Sequence, residues 1–155
     1  DAANDAKDRL AWSWVDGAAT TTADFGDPTA STSYRLCVWD ASAGTPRLVA
    51  STGIAAGGTC GNASCWRATR TGFRYKDRSA AAEGVRQLVL KAGSAGRSKI
   101  QVRAQGAALA LPSLPLVQGP AATVQLRAST GACWESTYGA PARRNDGSEF
   151  KDRAD

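Results

Sequence analysis

The sequence predicts an all-β protein, an antiparallel β-sandwich of Ig-like or jelly-roll-like type, formed by a single domain over residues 1–155. Three observations lead to this prediction. Apolar residues recur with a period of two rather than 3.6. Turn-forming Gly, Pro, Asp and Ser residues separate the apolar runs at short intervals. No composition break marks a linker, and 155 residues are enough to bury one core.

The first run illustrates the pattern that predicts each strand. Leu10, Trp12 and Trp14 fall on one side of an extended chain, and Asp16-Gly17 ends the run. In chain order, we expect strands at residues 10–15, 34–39, 46–52, 64–70, 73–78, 108–117, 122–128, 131–138 and 148–153, with a hairpin over 85–104.

The predicted hairpin has the clearest internal pattern. Leu88 and Leu90 share one face of its first strand, and Ile100 and Val102 share the inward face of its second. The loop at 92–96 contains two glycines, which tolerate the positive φ angles that tight turns require.

Two segments depart from this regularity. Prolines at 112 and 115 prevent 111–115 from being a continuous central strand, so an edge strand or a crossing between sheets fits better. Helix-forming residues are concentrated only in Ala80–Glu83, and Gly84 follows at once. We therefore expect one short helical turn near 80–83.

Four cysteines indicate two disulfides and an oxidising compartment. A zinc site is disfavoured, because only Cys60 and Cys65 are close and zinc motifs need paired short spacings. Three connectivities are possible, and we favour Cys60–Cys65 with Cys37–Cys133. The loop carboxylates Asp24 and Asp27 lack a calcium-loop motif, so no metal site is predicted.

The composition restricts the possible chemistry. Histidine is absent, which excludes imidazole bases, Ser-His-Asp arrangements and His-containing zinc sites. No paired carboxylates stand out as an acid and a base, so we expect a non-enzyme without a cofactor. No apolar run approaches the ~20 residues of a membrane span. Methionine is also absent, as expected for a processed secreted chain or an excised domain.

Five tryptophans offer candidate binding residues. Trp12 and Trp14 share a strand face and form either a stacking platform for a sugar or part of the core. Trp39 lies on the face opposite Leu36, which makes it the tryptophan most accessible from outside. Trp66 and Trp134 each follow a cysteine and are expected to be structural.

A basic patch is the second candidate site. The net charge is +5, and five cations alternate with core positions on predicted strands and their ends: Arg74, Lys76, Arg78, Lys99 and Arg103. If these strands are neighbours, the patch fits an acidic polysaccharide. Nucleic acid is a less favoured partner, because disulfides indicate an extracellular setting.

Several motifs, in this order, resemble an uncharacterised disulfide-containing domain of secreted bacterial proteins of the myxobacterial type. They are residues 7–12 (KDRLAW), 23–29 (ADFGDPT), 34–40 (YRLCVWD), 57–60 (GGTC), 65–66 (CW), 72–77 (GFRYKD), 124–126 (VQL) and 133–135 (CWE). The resemblance spans nearly the whole chain. It implies an extracellular setting at the bacterial cell surface and transfers no catalytic residue.

These observations predict a non-catalytic structural or adhesive protein, either a module of a surface protein or a repeating subunit of a surface assembly or filament. Its partners would be copies of itself or other domains, because a sandwich with open edges can accept a strand from a neighbour. Asp1–Arg9 and Glu149–Asp155 are the segments expected to reach across. The alternative is a carbohydrate-binding module that uses Trp12, Trp14 or Trp39.

Overall fold

The structure, a computed structural model, describes residues 5–42 and 44–155. It confirms the all-β prediction. Short 3₁₀ turns lie at Asp5–Lys7 and Ala23–Phe25. The described strands are β1 (Arg9–Val15), β2 (Tyr34–Ser42), β3 (Thr45–Ile54), β4 (Thr59–Cys60), β5 (Ala63–Ser64), β6 (Trp66–Thr69), β7 (Gly72–Lys76), β8 (Val85–Lys91), β9 (Lys99–Gln105), β10 (Ala121–Ala128), β11 (Cys133–Gly139), β12 (Arg144–Asn145) and β13 (Phe150–Lys151).

Two antiparallel sheets pack face to face. One has five strands in the order β1-β9-β8-β7-β6, and the other has four in the order β11-β10-β2-β3. Two small ribbons, β4-β5 and β12-β13, are appended to them. Each large sheet therefore has two edges: β1 and β6 in the first, β11 and β3 in the second.

Alternating side chains from both sheets form the core. Leu36 and Leu126 of the four-stranded sheet are fully buried against Leu88, Ile100 and Val102 of the five-stranded sheet. Burying a side chain of this size contributes about 1.5–3 kcal/mol. The period of two in the sequence thus becomes one apolar face on each sheet, as predicted for the 85–104 hairpin.

The proline-rich segment is a crossing between sheets. No strand lies between β9 and β10, and the chain passes there from the five-stranded sheet to the four-stranded one. The strand expected at 108–117 is therefore wrong, and the alternative of a crossing is correct. Prolines 112 and 115 cannot donate ladder hydrogen bonds, while Leu109 and Leu116 are buried as the segment passes.

Residues 80–83 form turns and not the expected helical turn. Ala80 and Glu83 have φ angles of 52° and 47°, which a right-handed helix excludes. The turn carries Glu83 to the edge of β3, where the Gly53 N–H donates to its carboxylate at 2.6 Å and the Thr52 hydroxyl donates to its carbonyl at 2.7 Å. These contacts outweigh the helical propensity of the alanines.

One of the two expected disulfides is confirmed. Cys60 and Cys65 are bonded across the β4-β5 ribbon. The expected Cys37–Cys133 bond is wrong, because both thiols are free. Cys37 on β2 and Cys133 on β11 lie on either side of β10, and two strand spacings of about 4.8 Å exceed the ~7 Å limit between bonded Cα atoms.

Gly72, at the start of β7, lies in close contact with the neighbouring strand β8. Gly72 has a φ of 148°, and an added Cβ would lie 2.1 Å from the Leu90 carbonyl oxygen. Gly72→Ala should lower the free energy of unfolding by about 3 kcal/mol or more. Gly131 has a φ of 99° in open space, so Gly131→Ala should cost only about 1–2 kcal/mol. Urea denaturation measures both, and equal losses would contradict this close packing.

Candidate functional site

An apolar cleft opens beside β1 at one end of the sandwich. It encloses about 710 Å³ and lies between residues 7–12 on one side and residues 148–152 on the other. We call it the β1 cleft. Val38, Val124 and Tyr138 of the four-stranded sheet line its wall. The crossing segment contributes Leu111, Pro112, Leu114 and Leu116.

The backbone edge of β1 borders this cleft. Gly106 N–H donates to the Asp8 carbonyl at 3.0 Å, whereas Gln105 N–H donates to Gly84 on the far side of β9. The Asp8 backbone therefore faces β9. Because backbone N–H and C=O groups alternate in direction along a strand, those of Leu10 and Trp12 also hydrogen-bond to β9. The N–H and C=O groups of Ala11 and Ser13 therefore point away from the sheet.

The other two long edge strands each receive backbone contacts from their own chain near one end. At β3, the Glu83 carboxylate accepts the Gly53 N–H. At β11, the Asp155 carboxylate accepts the Gly139 N–H at 2.8 Å, and the Asp155 N–H donates to the Thr137 carbonyl at 3.1 Å. Among the described residues, β1 pairs with β9 alone. Its outer edge is the long edge on which no described side chain or terminus is seen to accept or donate a backbone hydrogen bond, whereas on β3 that contact is confined to Gly53.

Trp12 places a buried hydrogen-bond donor at the wall of the cleft. Its side chain is 4% exposed, and its indole N–H has no hydrogen-bond partner among the residues the structure describes. The Tyr138 hydroxyl is close enough to Trp12 for a weak side-chain contact; burial raises the pKa of that hydroxyl and outweighs the lowering by the Ser136 hydroxyl and by the Trp12 contact. Because the Trp12 contact lacks good hydrogen-bond geometry, a well-placed acceptor arriving in the cleft would be stabilised by the indole N–H.

The opposite rim of the β1 cleft is the small β12-β13 hairpin, which ion pairs stabilise. Arg144 on β12 contacts Asp146 at 2.6 Å and Glu149 at 2.8 Å. The Asp146 carboxylate also accepts the backbone N–H groups of Ser148 and Glu149. The Arg144 hydrogen bond is the main cause that lowers the pKa of Asp146 well below its ordinary value.

The C-terminal segment does not reach away from the domain. Asp155 caps β11, and Asp152 accepts a 3.0 Å hydrogen bond from Gln118 in the crossing segment. The expectation that Glu149–Asp155 crosses to a neighbour is therefore not supported. Of the N-terminal segment, residues 5–9 belong to this domain, and residues 1–4 lie outside the described residues.

The structure places the five tryptophans in different surroundings. Trp12 is in the core, and Trp14 is half-buried beneath Gly17, where an added Cβ would lie 2.0 Å from its ring. Trp39 lies on the outer face of the four-stranded sheet and donates from Nε1 to Gln125 at 3.2 Å. Trp66 packs on Tyr34 and Tyr75, and Trp134 packs on Phe25.

The predicted basic patch is brought onto one side of the molecule. Arg74 and Lys76 lie on β7, Lys99 and Arg103 on β9, with β8 between them. Arg78 follows β7 and is exposed. The strands are therefore close neighbours, as the patch requires.

Within the described ranges there is no group of three or more potential metal ligands. The loop carboxylate of Asp24 is hydrogen-bonded to Thr21 and that of Asp27 to Thr29. No described helix has the length and apolar character to cross a membrane.

Comparison with known protein families, curated proteins and solved structures finds no match to this chain. The fold and the cleft alone therefore define its class, a two-sheet β-sandwich in which the open edge of β1 lies beside an apolar cleft. Sequence reasoning missed the cleft. The prolines between Leu111 and Leu116 signalled an irregular segment, but where that segment packs depends on contacts distant in the sequence.

The charged hairpin gives a pH prediction. A lowered carboxyl pKa stabilises the fold above the ordinary value of 3.8, and this stabilisation is lost as the pH falls through the lowered pKa. The amide resonance of Ser148, which donates to Asp146, should therefore stay constant from neutral pH to below 3.8 and shift only in stronger acid. NMR titration measures this, and Asp146→Asn should abolish the shift. A midpoint near 3.8 would contradict the Arg144 pairing.

Proposed function

We propose that this domain is an extracellular, non-catalytic structural or adhesive β-sandwich that joins a surface assembly by strand addition. The β1 cleft would accept an extended segment from a neighbouring copy or from another domain of a surface protein. The observation that carries this proposal is the open edge of β1 beside an apolar cleft.

The incoming segment would pair with the outward backbone groups of Ala11 and Ser13. Its alternate side chains would enter the cleft among Leu10, Leu114 and Leu116, which line it. A backbone carbonyl entering near Trp12 would give the buried indole N–H an acceptor. A segment with an apolar residue at every second position fits these requirements.

The expected affinity is moderate. Each added main-chain hydrogen bond contributes about 0.5–1.5 kcal/mol, and each buried leucine-sized side chain about 1.5–3 kcal/mol. Ordering the incoming segment opposes these gains. Assembly would therefore depend on concentration or on tethering within one surface protein.

The Cys60–Cys65 disulfide is compatible with an extracellular location, since such bonds persist in oxidising compartments. Secretion to a bacterial cell surface is part of the proposal. The carbohydrate-binding alternative is weaker, because Trp12 and Trp14 are packed into the domain. Trp39 takes part in none of the described aromatic ring pairs, so no second ring is seen to extend it into a stacking surface.

A proline in β1 tests the proposal. Ala11 is exposed and its N–H points outward, so Ala11→Pro removes a donor from the open edge without breaking a β1–β9 bond. We expect larger species to be lost while the melting temperature falls by only a few degrees. Sedimentation velocity and negative-stain electron microscopy of unreduced protein measure the assembly.

Ser51→Pro on β3 is the matched control. Gly53 N–H points away from β2 toward Glu83, so Ser51 N–H, two residues earlier, points the same way. This variant also places proline on an outer edge, and assembly should survive it. Equal loss in both variants, or assembly unchanged by Ala11→Pro, would overturn the proposal.

A further inference from the structure

The five-stranded sheet has an uneven distribution of charge. Its five strands contain eight basic residues and no acidic residue. The eight are Arg9, Arg67, Arg74, Lys76, Arg86, Lys91, Lys99 and Arg103. Seven of them are exposed and Lys99 is half-buried.

All eight lie on the outer surface of the sheet, which we call the cationic face. The inward positions are taken by buried residues such as Phe73, Leu88 and Val102. The strand register places Arg67 beside Arg74 and aligns Lys76, Gln87 and Arg103 across three strands. Cations on adjacent or alternate strands are therefore only one or two strand spacings, about 5–10 Å, apart.

No described ion pair neutralises this face. Each ion pair seen in residues 5–42 and 44–155 involves Arg35, Arg47 or Arg144, which lie on other elements. Like charges on neighbouring strands repel each other. Cations that lie close together without ion-pair partners therefore favour the binding of an external anion.

A groove of about 390 Å³ concentrates the charge at one end of the cationic face. Five cations line it: Arg9, Lys76, Arg78, Arg86 and Arg103. Arg86 is held across the groove, because its guanidinium donates to Gln105 Oε1 at 3.1 Å and to the Arg78 carbonyl at 2.8 Å. Sequence reasoning identified three of these cations and missed Arg9 and Arg86.

Asp77, the carboxylate that lines the groove in the described chain, forms no described ion pair with the five cations, so an excess of positive charge remains. Its side chain is turned into the following loop, where Ser79 N–H donates to it at 2.9 Å and Ala81 N–H at 3.0 Å. Burial alone would raise the pKa of Asp77, but the Ser79 and Ala81 hydrogen bonds outweigh it and lower the pKa. This carboxylate shapes the rim of the groove and leaves the cations facing outward.

We propose that the cationic face and its groove bind a linear acidic polysaccharide through sulfate or carboxylate groups. Arginine predominates in the groove, and its planar guanidinium donates two parallel hydrogen bonds to such groups. No aromatic side chain stands among the outward residues, so the stacking that holds single-stranded nucleic acid is missing. This inference does not rest on strand addition.

The test uses a double variant chosen away from β1, because Arg9, Leu10 and Ala11 line both the groove and the β1 cleft. Lys76→Gln with Arg103→Gln removes two groove cations. The control, Arg127→Gln with Arg143→Gln, removes two exposed cations that lie outside the five-stranded sheet. Both variants lower the formal charge by two.

Isothermal titration at low salt with heparin, polygalacturonate, uncharged dextran and duplex DNA gives the readout. We expect binding to heparin or polygalacturonate, about tenfold weaker binding by the groove variant, and a change below twofold in the control. The affinity should fall steeply as salt is added. Circular dichroism confirms that both variants are folded.

Three results would overturn the proposal. The first is no binding of either acidic polysaccharide at low salt. The second is equal weakening in the groove variant and the control, which would show attraction by net charge alone. The third is preferred binding of duplex DNA or of uncharged dextran, which would assign the face to another partner.

Discussion

Backbone hydrogen bonding at the sheet edges is the constraint on which the rest of this structure depends. A two-sheet sandwich ends in strands whose outward N–H and C=O groups need partners. At β3 the chain supplies Glu83, and at β11 it supplies Asp155. These contacts explain why residues 80–83 form a turn and not a helix, and why the C-terminal segment folds back. The same constraint makes the uncapped edge of β1 the most informative feature of the molecule.

The two proposed surfaces are complementary. Strand addition at β1 would connect copies or domains, while the cationic face of the same sheet would remain outside the cleft. Repeating that face along an assembly would multiply weak polysaccharide contacts, since linked sites raise the effective concentration for one another. The same sheet would then support a structural role through the edge of β1 and an adhesive role through its cationic face.

Local sequence patterns predicted most of the fold, because alternation of apolar residues is a property of each strand alone. They also located Lys76, Arg78 and Arg103, which alternate with core positions. They did not predict the β1 cleft, because Leu111, Leu114 and Leu116 reach it through an irregular crossing. The Cys37–Cys133 pairing was wrong for a related reason. Cysteine count and spacing carry no information about β10, the strand that separates the two thiols.

Hydrogen–deuterium exchange of β1 is the most direct test of the central claim. In dispersed protein, the amides of Ala11 and Ser13 should exchange quickly, while those of Leu10 and Trp12, bonded to β9, should exchange slowly. In assembled protein, or with a bound segment, Ala11 and Ser13 should become as protected as their neighbours. Assembly that leaves these two amides exchanging as fast as before would contradict the account.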